Sequence, residues 1–419
     1  MSSLATQIEI PAPKPVDSRA RRLRVAENIF LFTIAVFVCN IAALIVRFRN
    51  HHELPINPFL AALCAIAILI ADPPKQKFSG RYFALTWFFV GTLSLIGAAS
   101  IPSWRNLDFV PASQIMMKLA INFLLVPWMA MRLASPRLIR RCFQLTVAIT
   151  AAGGLFAIIQ LVYPAPFVLI NVQEGRGAGL WINPNACGTV CIVALLMSYI
   201  WPYRQTAWNW AARACMALGI AACSSRAATG AIVIAFIIVL LLRKNLTTAV
   251  WVTVSAVLVY VAISSVNLGG VVARIAPDSH RAASFVKLAR GDAGDVVHED
   301  IRWRVWQYSG MVAMENWAAG CGLTCMDHVA PFTGTGLGPH NFYIYILGTG
   351  GFMPLVAFLV LVGSLVKWAF HRGNTVHRSI SVAIVVSFAF LLFFDHSTVL
   401  MQPSCPVMIF FATLGAELT

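Results

Sequence analysis

The stretch that organises this chain begins with RWRVW at residues 302–306 and ends with GTGG at residues 348–351. Between them lie Cys321-Gly322, a glycine-rich approach at residues 334–338 and the pair His340-Asn341. Long apolar runs precede and follow this polar stretch, and helices formed by those runs must return the chain to it. We therefore predict that it carries the active site of a membrane protein, on the outer face of the bilayer.

The composition predicts a membrane protein built from helices. Of the 419 residues, 59% are apolar and only 11% are charged, and the mean hydropathy is +0.77. A soluble globular protein carries about 25% charged residues, so the deficit decides the class. We predict an all-α polytopic membrane protein with about twelve transmembrane helices.

The net charge of +15 is explained by membrane topology rather than by nucleic-acid binding. Most Lys and Arg residues lie in short links between apolar runs, as the positive-inside rule expects of cytoplasmic loops. The strongest such link is residues 132–141, which contains four arginines. These basic links place both termini in the cytoplasm, and Met1 to Glu27 reads as a basic tail rather than a signal peptide.

Apolar runs of about 20 residues define the predicted spans. They lie near 28–46, 56–71, 83–101, 114–131, 142–163, 186–201, 208–223, 227–242, 248–264, 342–366, 379–394 and 405–418. The chain then divides into a cytoplasmic tail (1–27), nine spans (28–264), a large outer loop (265–340) and three further spans (341–419). Within the outer loop, residues 302–319 have the pattern of an interfacial helix. A surface helix without a chemical role has the same pattern.

Three arginines on the outer side are candidate anion ligands. Arg176 lies in a glycine-rich segment, Arg226 stands at a helix start, and Arg302 opens the RWRVW motif, which also contains Arg304. A guanidinium group matches phosphate oxygens and stays charged, and the glycines beside Arg176 would let a ligand approach the backbone. Any one of these arginines taken alone fits an interfacial anchor as well, but three together favour a site.

His340 is the candidate proton acceptor. It follows Gly338-Pro339 and precedes an apolar helix, so we expect it in the first turn of that helix, with Asn341 placed to orient it. The positive end of a helix dipole disfavours imidazolium. A histidine with the ordinary pKa of about 6.5 would then be a neutral base near pH 7. The alternative is a histidine that only caps the helix end.

Metal chemistry has little support in the sequence. His298-Glu299-Asp300 is an isolated cluster in a loop of mixed charge, and His280 and His328 read as solvated loop residues. Cys321 and Cys325 form no metal-site signature by themselves. We expect neither a metal nor another cofactor.

Four motifs, taken in order, resemble the O-antigen ligase and polymerase superfamily of bacterial inner-membrane glycosyltransferases. They are Arg-x-x-Gly-x-x-x-Asn-Pro-Asn at 176–185, which contains Asn183 and Asn185; Ser225-Arg226; Arg-x-x-x-Trp at 302–306 with Gly320-x-Gly322 after it; and His340-Asn341 before an aromatic helix with Gly-x-x-Gly. The resemblance covers roughly residues 175–361. An alanine follows Ser225-Arg226 where the family often has glycine, which changes packing rather than charge.

The resemblance implies a glycosyltransferase-C-like helical fold whose catalytic loop (265–340) faces the periplasm of a Gram-negative bacterium. It also implies a glycan on undecaprenyl pyrophosphate as the donor, transferred with inversion and without a metal. The implied roles are pyrophosphate binding by Arg176, Arg226 and Arg302, base catalysis by His340, and support from Asn341, Asn183, Asn185 and Arg304.

The acceptor distinguishes the members of this superfamily. A ligase uses lipid A–core, a polymerase uses another lipid-linked repeat, and a third group, the protein O-oligosaccharyltransferases, uses Ser or Thr of a protein. The chain length and the single main outer loop favour the ligase. A transporter that only binds an anionic lipid through its arginines is an alternative from a different class.

Overall fold

The structure is a computed structural model that describes residues 18–40, 56–73, 109–121, 125–133, 135–162, 176–181, 183–223, 225–243, 301–326, 338–371 and 375–394. Within these ranges the chain forms twelve helices and no strand. They are α1 (Ser18–Val38), α2 (Ile56–Ala71), α3 (Phe109–Ala120), α4 (Val126–Leu133), α5 (Pro136–Val162), α6 (Pro184–Met197), α7 (Thr206–Cys223), α8 (Arg226–Arg243), α9 (Ile301–Glu315), α10 (Phe342–Gly350), α11 (Phe352–His371) and α12 (Thr375–Leu391). The prediction of an all-helical chain is confirmed for this part.

One predicted span is divided into two helices. The run at 342–366 forms α10 and α11, whereas the run at 114–131 contains α3 and α4, with residues 122–124 outside the described part. The division occurs at Gly351, whose φ of +80° is a conformation that helices exclude. The weak runs near 56–71 and 208–223 both form helices, as α2 and α7. The spans predicted at 83–101, 248–264 and 405–418 lie outside the described residues, and the twelve-span count stays a prediction.

The described surface is consistent with a helical membrane protein. Among the described helices, α5 (Pro136–Gln160) and α11 (Phe352–Phe370) contain stretches long and apolar enough to cross a bilayer, and α2, α6, α8 and α12 are shorter apolar helices. Along α8, Val233, Ile237 and Leu241 are 52%, 48% and 72% exposed. A continuous apolar face of this kind is suited to lipid rather than to water.

Glycines bring the backbones of α5 and α7 into close contact. A Cβ atom on Gly154 would lie 2.6 Å from the carbonyl oxygen of Cys215, and one on Gly219 would lie 2.6 Å from the Cα atom of Gly154. Small residues allow such approach between helices, where packing supplies most of the attraction in a bilayer. The backbones of these two helices are therefore closely packed.

Helices α8 and α12 run antiparallel to each other. Gly230 faces the ring of Phe390, and the Ser387 hydroxyl donates a 3.1 Å hydrogen bond to the carbonyl of Ala231. Since the residue numbers rise along α8 as they fall along α12, the start of α8 meets the end of α12. This relationship places the N-terminus of α8 beside residues 391–394.

Basic side chains gather at one end of the bundle. Arg19 donates to the carbonyl of Asp72, and Arg132 pairs with the Asp72 carboxylate at 3.8 Å, which joins the start of α1 to the ends of α2 and α4. Arg213 of α7 donates to Ser198 after α6. The helix ends on this side carry Arg19, Arg21, Arg22, Arg24, Arg132, Arg137, Arg140, Arg141, Arg204, Arg213 and Arg378. We call it the basic end, and the opposite end carries the candidate site.

Candidate active site

The loop that carries Arg176 is fastened to the end of α7. The Nε atom of Arg176 donates a 2.7 Å hydrogen bond to the carbonyl of Cys223, and the N–H of Gly177 donates at 3.0 Å to the carbonyl of Ala222. The Nη2 atom of Arg176 donates at 3.0 Å to Oδ1 of Asn185, in the first turn of α6. Arg176 is only 3% exposed. Its guanidinium group thus joins α6 to α7 from a buried position.

Gln160 holds the same loop from the side of α5. Its Oε1 atom accepts 2.9 Å hydrogen bonds from the N–H groups of both Ala178 and Gly179, and its Nε2 atom donates at 3.1 Å to the carbonyl of Gly179. Gln160 is fully buried. These three hydrogen bonds satisfy backbone groups of Ala178 and Gly179 that would otherwise lack these partners in a buried place.

The glycines beside Arg176 serve packing rather than ligand approach. A Cβ atom on Gly177 would overlap the carbonyl oxygen of Ala157, and one on Gly179, which has a φ of +61°, would lie 2.5 Å from the carbonyl oxygen of Gly153. The neighbour that requires glycine at both positions is therefore the backbone of α5. The expectation of an open approach for a ligand is corrected at these two residues.

Asn183 and Asn185 have separate structural duties at the start of α6. Asn183 is the N-cap, and its Oδ1 atom accepts a 2.8 Å hydrogen bond from the N–H of Ala186. Pro184 follows at the first helical position, where its missing N–H costs nothing. Asn185 accepts from Arg176. Within the Asn-Pro-Asn motif, Asn183 thus caps the helix and Asn185 binds the arginine of the preceding loop.

Arg226 is the first residue of α8, three residues beyond the carbonyl that binds Arg176. Ser225 is buried, and its Oγ atom accepts a hydrogen bond from the N–H of Ala228 at 3.4 Å, which is the N-cap pattern. Gly188 of α6 allows close contact here, since a Cβ atom on it would lie 2.9 Å from that of Ala228. The chain segments that carry Arg176 and Arg226 therefore adjoin each other.

Helix α9 brings the RWRVW motif to the end of α12. Arg302 is the second residue of α9, and Trp306 follows one turn later. The Trp306 ring lies 5.7 Å from the ring of Phe394, between centroids. Val305 is fully buried, whereas Arg304 is exposed. The start of α9 therefore lies beside the residues where the start of α8 also arrives.

His340 stands immediately before the N-cap of α10 and not in its first turn. Asn341 is the N-cap, and its Oδ1 atom accepts hydrogen bonds from the N–H groups of Tyr343 and Ile344 at 3.0 and 3.1 Å. His340 has a φ of +45°, a left-handed conformation. The expectation that His340 lies in the first turn is corrected, because the helix begins after it. The side-chain oxygen of Asn341 caps that helix, and its predicted role in orienting His340 stays a prediction.

The start of α10 is joined to the end of α12. The N–H of Phe342 donates a 2.8 Å hydrogen bond to the carbonyl of Leu392, and the Tyr343 hydroxyl donates at 2.8 Å to the carbonyl of Ala389. The Tyr343 ring also lies 4.4 Å from that of Phe393. His340 is half-buried, with its Nδ1 atom on the buried side.

The structure thus gathers four sequence-distant segments at one end of the bundle. The starts of α6, α8, α9 and α10 all arrive there, with the ends of α7 and α12 between them. Helix N-termini carry partial positive charge. The arrangement is suited to holding an anionic group beside a histidine.

Two features of this end had no signal in the sequence. Gln160 is one of many polar residues within apolar runs. The residues around it in the sequence do not indicate that its side chain makes three hydrogen bonds to a loop 18 residues away. Cys321 and Cys325 are joined by a disulfide bond, although their spacing alone does not distinguish a disulfide from two free thiols.

The predicted loop residues His280, His298 and His328 lie outside the described residues.

Comparison with known proteins identifies the middle of the chain. Residues 211–359 match the family model described as O-antigen ligase. The match begins in α7 and ends in α11, so it contains Arg226, Arg302 and His340, whereas Arg176 precedes it. None of the curated proteins matches the chain.

Proposed function

We propose that the chain is an O-antigen ligase, because its residues 211–359 match the O-antigen ligase family model. It transfers O-antigen polysaccharide from undecaprenyl pyrophosphate to a hydroxyl group of lipid A–core. The transfer completes lipopolysaccharide at the periplasmic face of the inner membrane.

The observation that carries this proposal is the meeting of helix starts and arginine segments around the end of α12. A pyrophosphate leaving group develops negative charge as the glycosidic bond breaks. Helix N-termini and guanidinium groups stabilise such charge without having to reorganise during the reaction. The starts of α8 and α9 bring Arg226 and Arg302 to this place, and His340 arrives with the start of α10.

We assign the roles as follows. Arg226 and Arg302 bind the donor pyrophosphate, and Arg176 adds positive charge from its buried position while holding the start of α6 to the end of α7. His340 removes the proton of the acceptor hydroxyl, which then attacks the anomeric carbon from the face opposite the pyrophosphate and inverts it. Asn341, Asn183 and Asn185 keep the helix starts in position, and exposed Arg304 contacts the lipid-linked substrates from outside.

The orientation in the membrane is part of the proposal. The arginine-rich basic end is the cytoplasmic side by the positive-inside rule, so the candidate site at the opposite end faces the periplasm. Both termini are then cytoplasmic. A disulfide bond at the same end as the site agrees with this orientation, because such bonds persist in the periplasm and are rare in the cytosol.

The deciding experiment is gel analysis of lipopolysaccharide from a deletion strain complemented with the wild type or with a vector. A ligase predicts that the deletion loses the ladder on lipid A–core and keeps lipid-linked polymer. A strain that shows at most one repeat on the core would identify a polymerase, and loss of glycan from proteins alone would identify a protein O-oligosaccharyltransferase.

A second experiment separates an enzyme from a carrier. Purified protein in detergent, supplied with lipid-linked donor and lipid A–core, should release undecaprenyl pyrophosphate with multiple turnovers. Activity should persist in EDTA, since the arginines take the role that a metal would otherwise have. Stoichiometric binding without turnover would support a transporter, and an absolute requirement for a divalent ion would contradict the arginine scheme.

A further inference from the structure

The turn that follows α9 is closed by a disulfide bond. Cys321 and Cys325 are four residues apart in sequence, and their Cα atoms are 5.7 Å apart. The seven other cysteines of the described residues are free, and most are buried in helices. The mechanism proposed above uses neither Cys321 nor Cys325, so their covalent bond calls for a separate explanation.

This disulfide turn supplies hydrogen-bond donors to the end of α10. Because α10 stops at Gly350, the carbonyls of Gly348 and Thr349 have no donors further along a helix. The N–H of Cys321 donates to Gly348 at 2.8 Å, and the N–H of Gly322 donates to Thr349 at 3.1 Å. Both acceptors are buried residues, where a carbonyl without a partner would be costly.

The turn also fits closely against α10. The Tyr345 hydroxyl donates a 3.0 Å hydrogen bond to the carbonyl of Leu323, which lies between the two cysteines. Leu323 and Met326 are fully buried. A Cβ atom on Gly320, whose φ is +74°, would overlap the carbonyl oxygen of Thr349. Contact between the turn and the helix therefore depends on the conformation of the turn's backbone.

Helix α10 connects this turn to the candidate base. It has nine residues and so is about 13 Å long. The disulfide turn holds one end, and the bond from Phe342 to Leu392 holds the other, next to His340. A helix this short moves as a unit, so a displacement at Thr349 reaches Asn341 and His340.

We propose that Cys321 and Cys325 are positioning residues whose disulfide bond keeps the turn in the conformation that holds α10, and thereby holds His340 in place beside the end of α12. The activity test of this inference rests on the proposed function, whereas the hydrogen-exchange test does not. The bond forms by exchange with a disulfide-bonded oxidoreductase, which accepts two electrons and two protons from the two thiols and becomes a dithiol.

The structural test uses hydrogen exchange of the full-length protein in detergent. Cys321→Ser/Cys325→Ser is compared with the wild type and with Cys215→Ser, which removes a free cysteine of α7. Amides of residues 342–351 should exchange about tenfold faster or more in the double variant and in wild type treated with dithiothreitol. The Cys215→Ser protein should match the wild type. Unchanged exchange in both the double variant and the reduced wild type would overturn the proposal.

The activity test separates positioning from simple destabilisation. The double variant should lose up to about 100-fold in kcat, as expected of a misplaced catalytic group, with little change in KM for the donor. Reduction should lower the kcat of the wild type, and reoxidation with oxidised glutathione should restore it. Reduction should leave the double variant unchanged. A double variant with wild-type kcat would overturn the positioning role.

Gly320→Ala provides an independent variant that keeps both sulfur atoms. Its added Cβ atom displaces the turn from Thr349, so kcat should fall while the disulfide remains intact, and a wild-type kcat in Gly320→Ala would contradict the role of the turn. If the wild type shows no transfer at all, the proposed function fails, whereas hydrogen exchange still decides whether the disulfide holds α10.

Discussion

The Nε atom of Arg176 donates a 2.7 Å hydrogen bond to the carbonyl of Cys223, three residues before Arg226. This bond makes one structural unit of two arginine segments that are 50 residues apart. The two arginines differ in their surroundings, because Arg176 is buried and bound to protein atoms while Arg226 is the first residue of a helix.

We expect Arg176→Ala to destabilise the protein as well as inactivate it. The substitution removes charge-assisted hydrogen bonds from a buried site, each worth about 1.5–3 kcal/mol, and leaves the Cys223 carbonyl without that partner. The measurement is thermal unfolding in detergent, compared with Arg243→Ala at the last residue of α8. Equal melting temperatures for the Arg176→Ala and Arg243→Ala proteins would show that Arg176 does not hold the helices together.

Arg226→Ala and Arg302→Ala should abolish transfer while the protein still accumulates in the membrane. Each removes a proposed donor of hydrogen bonds to the leaving pyrophosphate, and loss of one such donor costs about 10²–10³-fold in rate. Arg226→Lys and Arg302→Lys should also be impaired, since lysine lacks the bidentate fork. Arg243→Ala is again the control. Wild-type turnover in either alanine variant would exclude that arginine from the donor site.

The left-handed backbone of His340 decides how its role should be tested. Alanine is disfavoured at a φ of +45°, whereas asparagine tolerates this conformation. We therefore expect His340→Asn to fold like the wild type, to bind donor, and to lose about 10²–10⁴-fold in kcat, the usual contribution of a general base. Retained turnover with weakened donor binding would make His340 a ligand contact instead, and full activity would exclude His340 from the reaction.

Gln160→Leu should disorder the Arg176 loop from a distance. The substitution leaves the N–H groups of Ala178 and Gly179 buried without that acceptor, at about 1–3 kcal/mol each. The expected results are a lower melting temperature and weaker donor binding. Gln144→Leu, in the half-buried first part of α5, is the matched control. Identical behaviour of the two variants would mean that the loop does not depend on Gln160.

Asp292 tests the orientation in the membrane. The outer loop 265–340 is predicted to face the periplasm because the links on both sides of it are basic, at Arg243-Lys244 and at residues 367–378. A membrane-impermeant thiol reagent should therefore label Asp292→Cys in cells whose inner membrane is intact. Wild type, with its own ten cysteines, gives the background. Labelling that requires a breached inner membrane would reverse the topology.

Local patterns in the sequence determined the class of the fold and several of its details. Apolar runs predicted helices because a spanning backbone must satisfy its own hydrogen bonds, and the described runs are helical. The helix starts themselves lie within a few residues of the predicted spans, at Asn183 before α6 and at Asn341 before α10. All these effects act within a few residues of the chain, so the local amino-acid sequence is enough to predict them.

Only the tertiary structure decided how the segments meet and what each polar side chain binds. That Arg176 joins Cys223 and Asn185, that Gln160 holds residues 178–179, and that Phe342 binds the carbonyl of Leu392 depend on which helices pack side by side. The left-handed conformation of His340 and the docking of the Cys321–Cys325 turn on α10 are of the same kind. Helix packing is governed by shape and by small residues such as Gly154 and Gly219, and a hydropathy pattern records neither the partner nor the angle.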